Sequence, residues 1–166
     1  MATDPPAALS RPAPESAEEP EAASTPVDLS GLNSIVGYPL RRAQIATFED
    51  FARRFTALSL SPAQYSTLVA IGGNAGRNQS EIARALGIQR PNFVSMMDEL
   101  ERRGLAERTR SGADRRSNAV SLTPAGQQLL AKARLEQSAQ EAAIDALLGP
   151  EARAALVSML LRLSKL

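Results

Sequence analysis

The chemistry open to this chain is limited by two residue types that it lacks. Its 166 residues include no Cys and no His, which excludes disulfides, thiol nucleophiles, and imidazole as a base or a metal ligand. The serines and carboxylates fall in predicted helix caps or on solvated faces, without a neighbouring base that would activate them. We therefore predict that the protein is not an enzyme and has no catalytic residues, no metal site and no cofactor.

Arginine and amide side chains at the start of one predicted helix are the first candidates for function. In the segment 90–103, apolar residues recur at i, i+3, i+4 and i+7 and form one buried face: Phe93, Met96, Met97 and Leu100. This leaves Asn92, Ser95 and Glu99 pointing outward, with Gln89 and Arg90 near the helix start. In the major groove of DNA, Arg pairs with guanine, and Asn or Gln pairs with adenine. The pattern fits a DNA-reading helix, and an ordinary solvated face is the alternative.

A predicted hairpin directly after this helix adds a second basic element. Two short strands, at about 105–110 and 117–122, flank a polar link. The link holds Asp114, Arg115 and Arg116, and Arg108 lies on the incoming strand. An Arg on a projecting tip can enter the minor groove, with a neighbouring carboxylate that holds its guanidinium extended. A solvated hairpin tip is the alternative.

Charge is divided unevenly along the chain. Residues 1–28 contain six acidic residues and one Arg, whereas the rest of the chain contains 18 basic and 12 acidic residues. Sixteen of those 18 basic residues are Arg, which favours an anionic partner, although GC-rich coding would give the same bias. Residues 1–30 also hold six of the eleven prolines. We predict a disordered acidic tail there, which either screens a basic surface or improves solubility.

Apolar periodicity and helix caps predict the remaining elements. Helices begin at two capping patterns, Ser61 with Gln64 and Asn78 with Glu81, and a long helix begins after Thr123. The first helix carries an apolar stripe of Phe48, Phe51, Phe55 and Leu58, and the last carries one of Leu156, Met159, Leu160 and Leu163. A small lobe could not cover both stripes alone, so we predict a homodimer.

Five motifs occur in a fixed order along the chain. They are LSPAQY at 60–65, QSEIARALGI at 79–88, LERRGL at 100–105, DRR at 114–116 and LTPAG at 122–126. Together they resemble the MarR family of winged-helix regulators, over about residues 38–165. The resemblance implies a homodimer whose first and last helices interlock. It also implies a recognition helix in each major groove and wings that reach the flanking minor grooves.

The resemblance implies roles for individual residues. Arg90, Asn92 and Ser95 fall on the reading face of the recognition helix. Arg116 falls where the Asp-x-Arg pair of the family, begun here by Asp114, places its minor-groove arginine. Asp114, Arg115 and Arg116 therefore complete the predicted DNA-binding set.

The chain departs from the family pattern within the recognition helix. Gln89 stands where many members have a small hydroxyl residue as the N-cap. Val94 and Ser95 stand where members often carry Thr and Arg, and Glu99 adds an acid to the outward side. These changes weaken the generic phosphate contacts of the family and leave the expected fold intact.

Aromatic and basic residues in the first two helices are candidates for an effector site. Members of the family commonly respond to small aromatic ligands between the dimer helices and the DNA-binding lobe. Aromatic walls can hold a ring and arginines can hold a carboxylate; the candidates are Tyr38, Arg41, Arg42, Phe48 and Tyr65. The run GYPLRRA at 37–43 also resembles the start of members that sense hydroxycinnamates or their CoA thioesters. The alternative is that the phenylalanines form core and dimer interface.

The sequence thus predicts a tail at 1–30 and a mainly α domain with a small β-hairpin at 31–166, a winged helix-turn-helix with terminal dimerisation helices. The helix-turn-helix covers about 78–104, the wing about 105–122, and the dimerisation helices about 38–58 and 124–165. No apolar run approaches a membrane span of roughly 20 residues, so we expect a cytoplasmic protein. The predicted function is a transcriptional repressor that a small aromatic acid or its CoA thioester releases from operator DNA. A winged-helix module that docks another protein, without sequence-specific DNA binding, is the alternative.

Overall fold

The computed structural model of the protein describes residues 27–110 and 118–166, so most of the predicted tail lies outside the described residues. The helices in these ranges are α1 (Ser30–Asn33), α2 (Gly37–Phe55), α3 (Pro62–Gly73), α4 (Gln79–Ala85), α5 (Arg90–Arg102), α6 (Pro124–Leu148) and α7 (Pro150–Leu163). The strands are β1 (Arg77–Asn78), β2 (Ala106–Arg110) and β3 (Asn118–Leu122). This order confirms the predicted fold class, with a helix-turn-helix and a hairpin framed by long helices.

Two short elements were not predicted. Helix α1 has four residues and β1 has two, and neither is long enough to show a periodicity. Strand β1 completes a three-stranded antiparallel sheet in the order β1-β3-β2, in which Val120 of β3 lies between Arg77 and Arg108. The predicted first helix also stops earlier than expected, because a 3₁₀ turn at Thr56–Leu58 replaces its last turn.

Reciprocal side-chain hydrogen bonds fix the starts of α3 and α4. The Ser61 hydroxyl accepts from the backbone N–H of Gln64 at 3.2 Å, and the side-chain Oε1 of Gln64 accepts from the backbone N–H of Ser61 at 3.0 Å. Asn78 and Glu81 form the equivalent capping box before α4. These bonds satisfy N–H groups that have no partner within the helix, and they confirm both predicted caps.

One apolar core joins α3, α4, α5, the sheet and the ends of α2 and α6. Its largest fully buried members are Phe55, Leu68, Ile71, Phe93, Met97, Leu100 and Val120. The Phe51 and Phe55 rings stack with centroids 3.7 Å apart, and both rings are buried within the protomer. The prediction that this part of the stripe needs a partner to cover it was therefore wrong. Among the four residues of the predicted stripe, Phe48 is the exposed one, at 51%.

The uncovered apolar surface lies instead at the start of α2 and along α7. Leu40 and Ile45 of α2 are exposed, as are the α7 residues Leu156, Val157, Met159, Leu160 and Leu161. Between these helices runs an apolar groove of about 470 Å³, lined on one side by Val36, Leu40 and Ala43. The predicted α7 stripe thus lies on the surface, opposite the first turns of α2.

Polar contacts set the positions of the long helices. Gln140 of α6 is buried, and its amide donates to the Thr47 carbonyl of α2 at 2.9 Å. Arg153 of α7 donates to Asp145 at 2.5 Å and to Glu141 at 3.1 Å, both on α6. Helices α2 and α7 are thereby both held against α6.

A glycine allows α6 to pack closely against the segment between α5 and β2. Thr123 caps α6, accepting from the Gly126 N–H at 3.0 Å and donating to the Gly104 carbonyl at 2.6 Å. A Cβ atom on Gly126 would overlap the carbonyl group of Leu105. The backbones therefore approach too closely for any other residue at position 126.

We expect Gly126→Ala to lower the free energy of unfolding by roughly 2 kcal/mol, because the clash is with backbone rather than with a side chain that can rotate away. The matched control is Gly73→Ala in α3, where a Cβ meets no atom within 4 Å. That variant gains helix propensity and should unfold at the same or higher denaturant concentration. Chemical unfolding of both variants measures the difference, and equal stabilities would refute the close contact.

Candidate nucleic-acid interface

Helices α4 and α5 are joined by a tight turn that sets their relative orientation. Gly87 has a φ of +66°, and the Ile88 N–H that follows donates to the Ala83 carbonyl at 2.9 Å. Gly87 relieves the steric cost of this left-handed conformation. Two short helices joined in this way form the helix-turn-helix that the sequence predicted.

Helix α5 buries one face and displays the other. Phe93, Met97 and Leu100 are fully buried, and this packing fixes the rotation of the helix about its axis. The four residues predicted to read DNA are all exposed together at its N-terminal end: Gln89, Arg90, Asn92 and Ser95. All four are therefore accessible within the first two turns of α5. Asn92 and Ser95 lie one turn apart on one face of the helix, whereas Gln89 and Arg90 line the side toward α4.

A concave surface of about 440 Å³ lies between α4 and the start of α5. Arg84 of α4 and Arg90 of α5 both line it, together with Ser80. Neither arginine has a carboxylate partner within the described residues. Ser80 and Arg84 were not predicted as site residues, although their i, i+4 spacing on the first helix of a helix-turn-helix was a readable signal.

The acid on the outward side of α5 is neutralised within the helix. Glu99 accepts two hydrogen bonds from Arg102, at 2.7 and 2.9 Å. These bonds hold the pKa of Glu99 below its ordinary value. The carboxylate therefore remains charged and paired, which reduces the repulsion expected between Glu99 and a phosphate backbone.

Basic residues of the predicted hairpin have two different placements. Arg108 of β2 is largely buried and bonded to carboxylates of α5, so it does not project as a free basic group. The tip residues Asp114, Arg115 and Arg116 lie outside the described residues. Their predicted role at the minor groove stays a prediction.

The candidate effector residues form two groups within one protomer. Tyr38, Arg41 and Arg42 lie in the first two turns of α2, and both arginines are exposed. Tyr65 of α3 lies beside Phe55, with ring centroids 5.2 Å apart. The nine residues from Arg42 to Phe51 correspond to about 14 Å of helix, so the two groups do not meet.

Tyr65 occupies a partly desolvated position at the α3 and α6 contact. Burial raises the pKa of its phenol, with a smaller opposing effect from the charge of Arg134 and a further rise from Glu141. A neutral phenol with a cation nearby can hydrogen-bond and stack on an aromatic ligand. Exposed Phe48, one turn before Phe51, lies between this residue and the arginines of α2.

Two features are absent from the part of the chain that the structure describes. Within residues 27–110 and 118–166, no helix combines the length and apolar character of a membrane span. The same residues contain no group of three or more carboxylates arranged to hold a metal ion.

Comparisons with known proteins identify the family. Residues 58–117 match the MarR family, over α3, β1, α4, α5 and β2. A putative transcriptional regulatory protein for the hcr operon of Thauera aromatica is 36% identical over 129 residues, which cover 77% of this chain and 78% of that protein. The chain belongs to the MarR family.

Among solved MarR-like structures, the transcriptional repressor CouR is similar over most of its length. CouR bound to a 23-mer DNA duplex is 45% identical, with a TM-score of 0.82, and the match covers 84% of this chain and 99% of that one. CouR bound to p-coumaroyl-CoA is 44% identical, with a TM-score of 0.76, over 84% of this chain and 98% of that one. These relatives are transcriptional regulators.

The N-cap of α5 lacks the side-chain hydrogen bond that usually stabilises a helix start. The Gln89 side chain makes no capping bond, and Pro91 has no N–H, so the Asn92 N–H is the one that a cap would satisfy. We expect Gln89→Ser to raise the free energy of unfolding by about 1 kcal/mol. Gln89→Ala, which removes the same amide without adding a cap, should not. Thermal melting of the two variants checks this, and equal melting temperatures would contradict it.

Proposed function

We propose that this MarR-family protein is a transcriptional repressor that binds duplex DNA through α5. The observation that carries the proposal is the exposure of Gln89, Arg90, Asn92 and Ser95 at the start of a helix that buries Phe93, Met97 and Leu100 in the core. Exposed donors and acceptors at the N-terminal end of such a helix fit the base edges of the major groove. The similarity to CouR on a DNA duplex supports the same conclusion.

Arginines without ion-pair partners supply the sequence-independent part of binding. Arg84 and Arg90 flank the concave surface between α4 and α5, where the N-terminus of α5 adds positive potential. Asp114, Arg115 and Arg116 of the wing are proposed to reach the minor groove, with Asp114 orienting Arg116. Arg90 and Arg116 would then contact different grooves of one half-site.

The uncovered apolar groove between α2 and α7 is proposed to be filled by a second copy of the chain. Its lining is almost wholly apolar, and exposed apolar patches of this extent usually mark an interface. The groove lies on the terminal helices, and the DNA-reading residues lie on α5. A two-fold dimer built there would present two recognition helices to one duplex.

The effector is proposed to be an aromatic CoA thioester. The separation between Tyr65 and the arginines of α2 matters here, because a free aromatic acid is too short to reach both groups. A thioester carries its ring at one end and its phosphates at the other, joined by a long pantetheine arm. The ring would contact Tyr65 and Phe48, and the phosphates would contact Arg41 or Arg42. CouR bound to p-coumaroyl-CoA supports this class of ligand.

We expect Arg90→Ala and Arg116→Ala each to weaken binding to the preferred duplex by about tenfold to a hundredfold. The probe is a 23-base-pair duplex selected by the protein from a random library, measured by fluorescence anisotropy at several salt concentrations. Arg162→Ala, an exposed arginine on α7, is the matched control and should bind as the wild type does. Equal affinities for all four proteins would refute the proposed interface.

We expect p-coumaroyl-CoA to release the selected duplex, whereas free p-coumarate at the same concentration should not. Arg41→Ala and Arg42→Ala should raise the concentration needed for release, because each removes a charged contact to phosphate, and should leave DNA binding intact. Arg53→Ala is the control, since this exposed arginine of α2 is paired with Asp50 at 3.0 Å. Release by the free acid alone, or an equal response in all three variants, would contradict this effector site.

A further inference from the structure

Arg108 of β2 joins the hairpin to both helices of the helix-turn-helix. Its Nε donates to Gln79 Oε1 of α4 at 2.6 Å, and its Nη2 donates to the Val94 carbonyl of α5 at 3.1 Å. Its Nη1 donates to Asp98 Oδ1 at 2.7 Å and also to Glu101. We call these five residues the Arg108 bracket; they connect one strand to two turns of α5 and to the first residue of α4.

The bracket acts where apolar packing of the strand stops. Ala106 is buried in the core, and Arg108 follows it on the same face of β2. Strand β2 is an edge of the sheet. The backbone N–H of Arg108 points away from β3 and donates to Glu101 Oε1 at 2.7 Å instead of to another strand. From Arg108 onward, β2 is therefore held by its pairing with β3 on one edge and by these polar contacts to α5 on the other.

The Arg108 guanidinium is not available to bind phosphate. Its side chain is 17% exposed, and four of its five N–H donors are occupied by the bracket. The bracket contains two carboxylates for one guanidinium, so its net charge opposes the approach of DNA. If these residues contribute to DNA binding, they must do so by fixing the position of β2 relative to α5.

We infer that Arg108 is a positioning residue that fixes the wing relative to the recognition helix, so that both reach their grooves on one half-site. The inference rests on the proposed DNA-binding function. The planar fork of Arg bonds both α4 and α5 at once, whereas the single ammonium of Lys cannot reproduce this geometry. Replacing the guanidinium by an ammonium should misalign the wing and α5 and leave the charge of the surface unchanged.

The test compares Arg108→Lys with Arg102→Lys, which keeps the charge of an exposed arginine of α5 that is bonded only to Glu99. For Arg108→Lys we expect affinity for the selected 23-base-pair duplex to fall by about tenfold or more, and affinity for a random duplex to stay within twofold. Arg102→Lys should match the wild type on both duplexes. A proportional loss on both duplexes, as partial unfolding would produce, or no loss on either, would overturn the inference.

Glu101→Gln separates positioning from charge. This substitution removes a negative charge but weakens the bracket, so we expect weaker binding to the selected duplex. A role through charge alone predicts tighter binding to both duplexes, and that result would also overturn the inference.

A measurement without DNA keeps the inference separate from the proposed function. Because the chain has no Cys, spin labels can be attached at Ser95→Cys and Thr109→Cys, both exposed positions on α5 and β2. With labelled chains diluted in unlabelled protein, we expect a narrow distance distribution that broadens in Arg108→Lys and not in Arg102→Lys. An unchanged distribution in Arg108→Lys would refute the bracket even if DNA binding is confirmed. If the wild type selects no duplex, the proposed function fails and this measurement still decides the role of the bracket.

Discussion

The burial of one face of α5 is the constraint on which the DNA-binding surface depends. Phe93, Met97 and Leu100 are fully enclosed, so the helix cannot rotate without exposing them to water at a cost of several kcal/mol. Residues on the opposite side of α5 are then exposed, and their position does not depend on contacts of their own. This explains why polar residues such as Asn92 and Ser95 can be held in place although nothing covers them.

The fold places α5 in a well-packed core and leaves apolar surface exposed on the terminal helices α2 and α7. Helices α3, α4 and α5 and the sheet share one core, and α6 closes it where Gly126 approaches Leu105. Helices α2 and α7 are each held to α6, by the buried Gln140 and by Arg153 respectively, and their outer apolar faces stay open. Helix α6 contacts α2, α7, α3 and β3, so it is the element that joins the terminal helices to the core around α5.

Much of this arrangement could be predicted from the sequence, because it depends on local patterns. The α5 periodicity identified Phe93, Met97 and Leu100 as buried, and the capping patterns at Ser61 and Asn78 placed two helix starts. Long-range contacts could not be predicted. The apolar residues Phe51 and Phe55 looked like partner surface until α3 was seen to cover them. Arg108 looked like a basic wing residue until its carboxylate partners on α5 were known, since nothing in the spacing of Asp98 and Glu101 identifies an arginine that follows in a separate strand.

The most direct test of the central claim is the sequence that the protein selects from a library of random duplexes. A dimer with two recognition helices should select an inverted repeat, with half-sites separated by one helical turn, about 10 base pairs centre to centre. The mass of the complex should correspond to two chains of 17.7 kDa on one duplex. Selection of no common sequence, with equal affinity for all duplexes, would contradict the account.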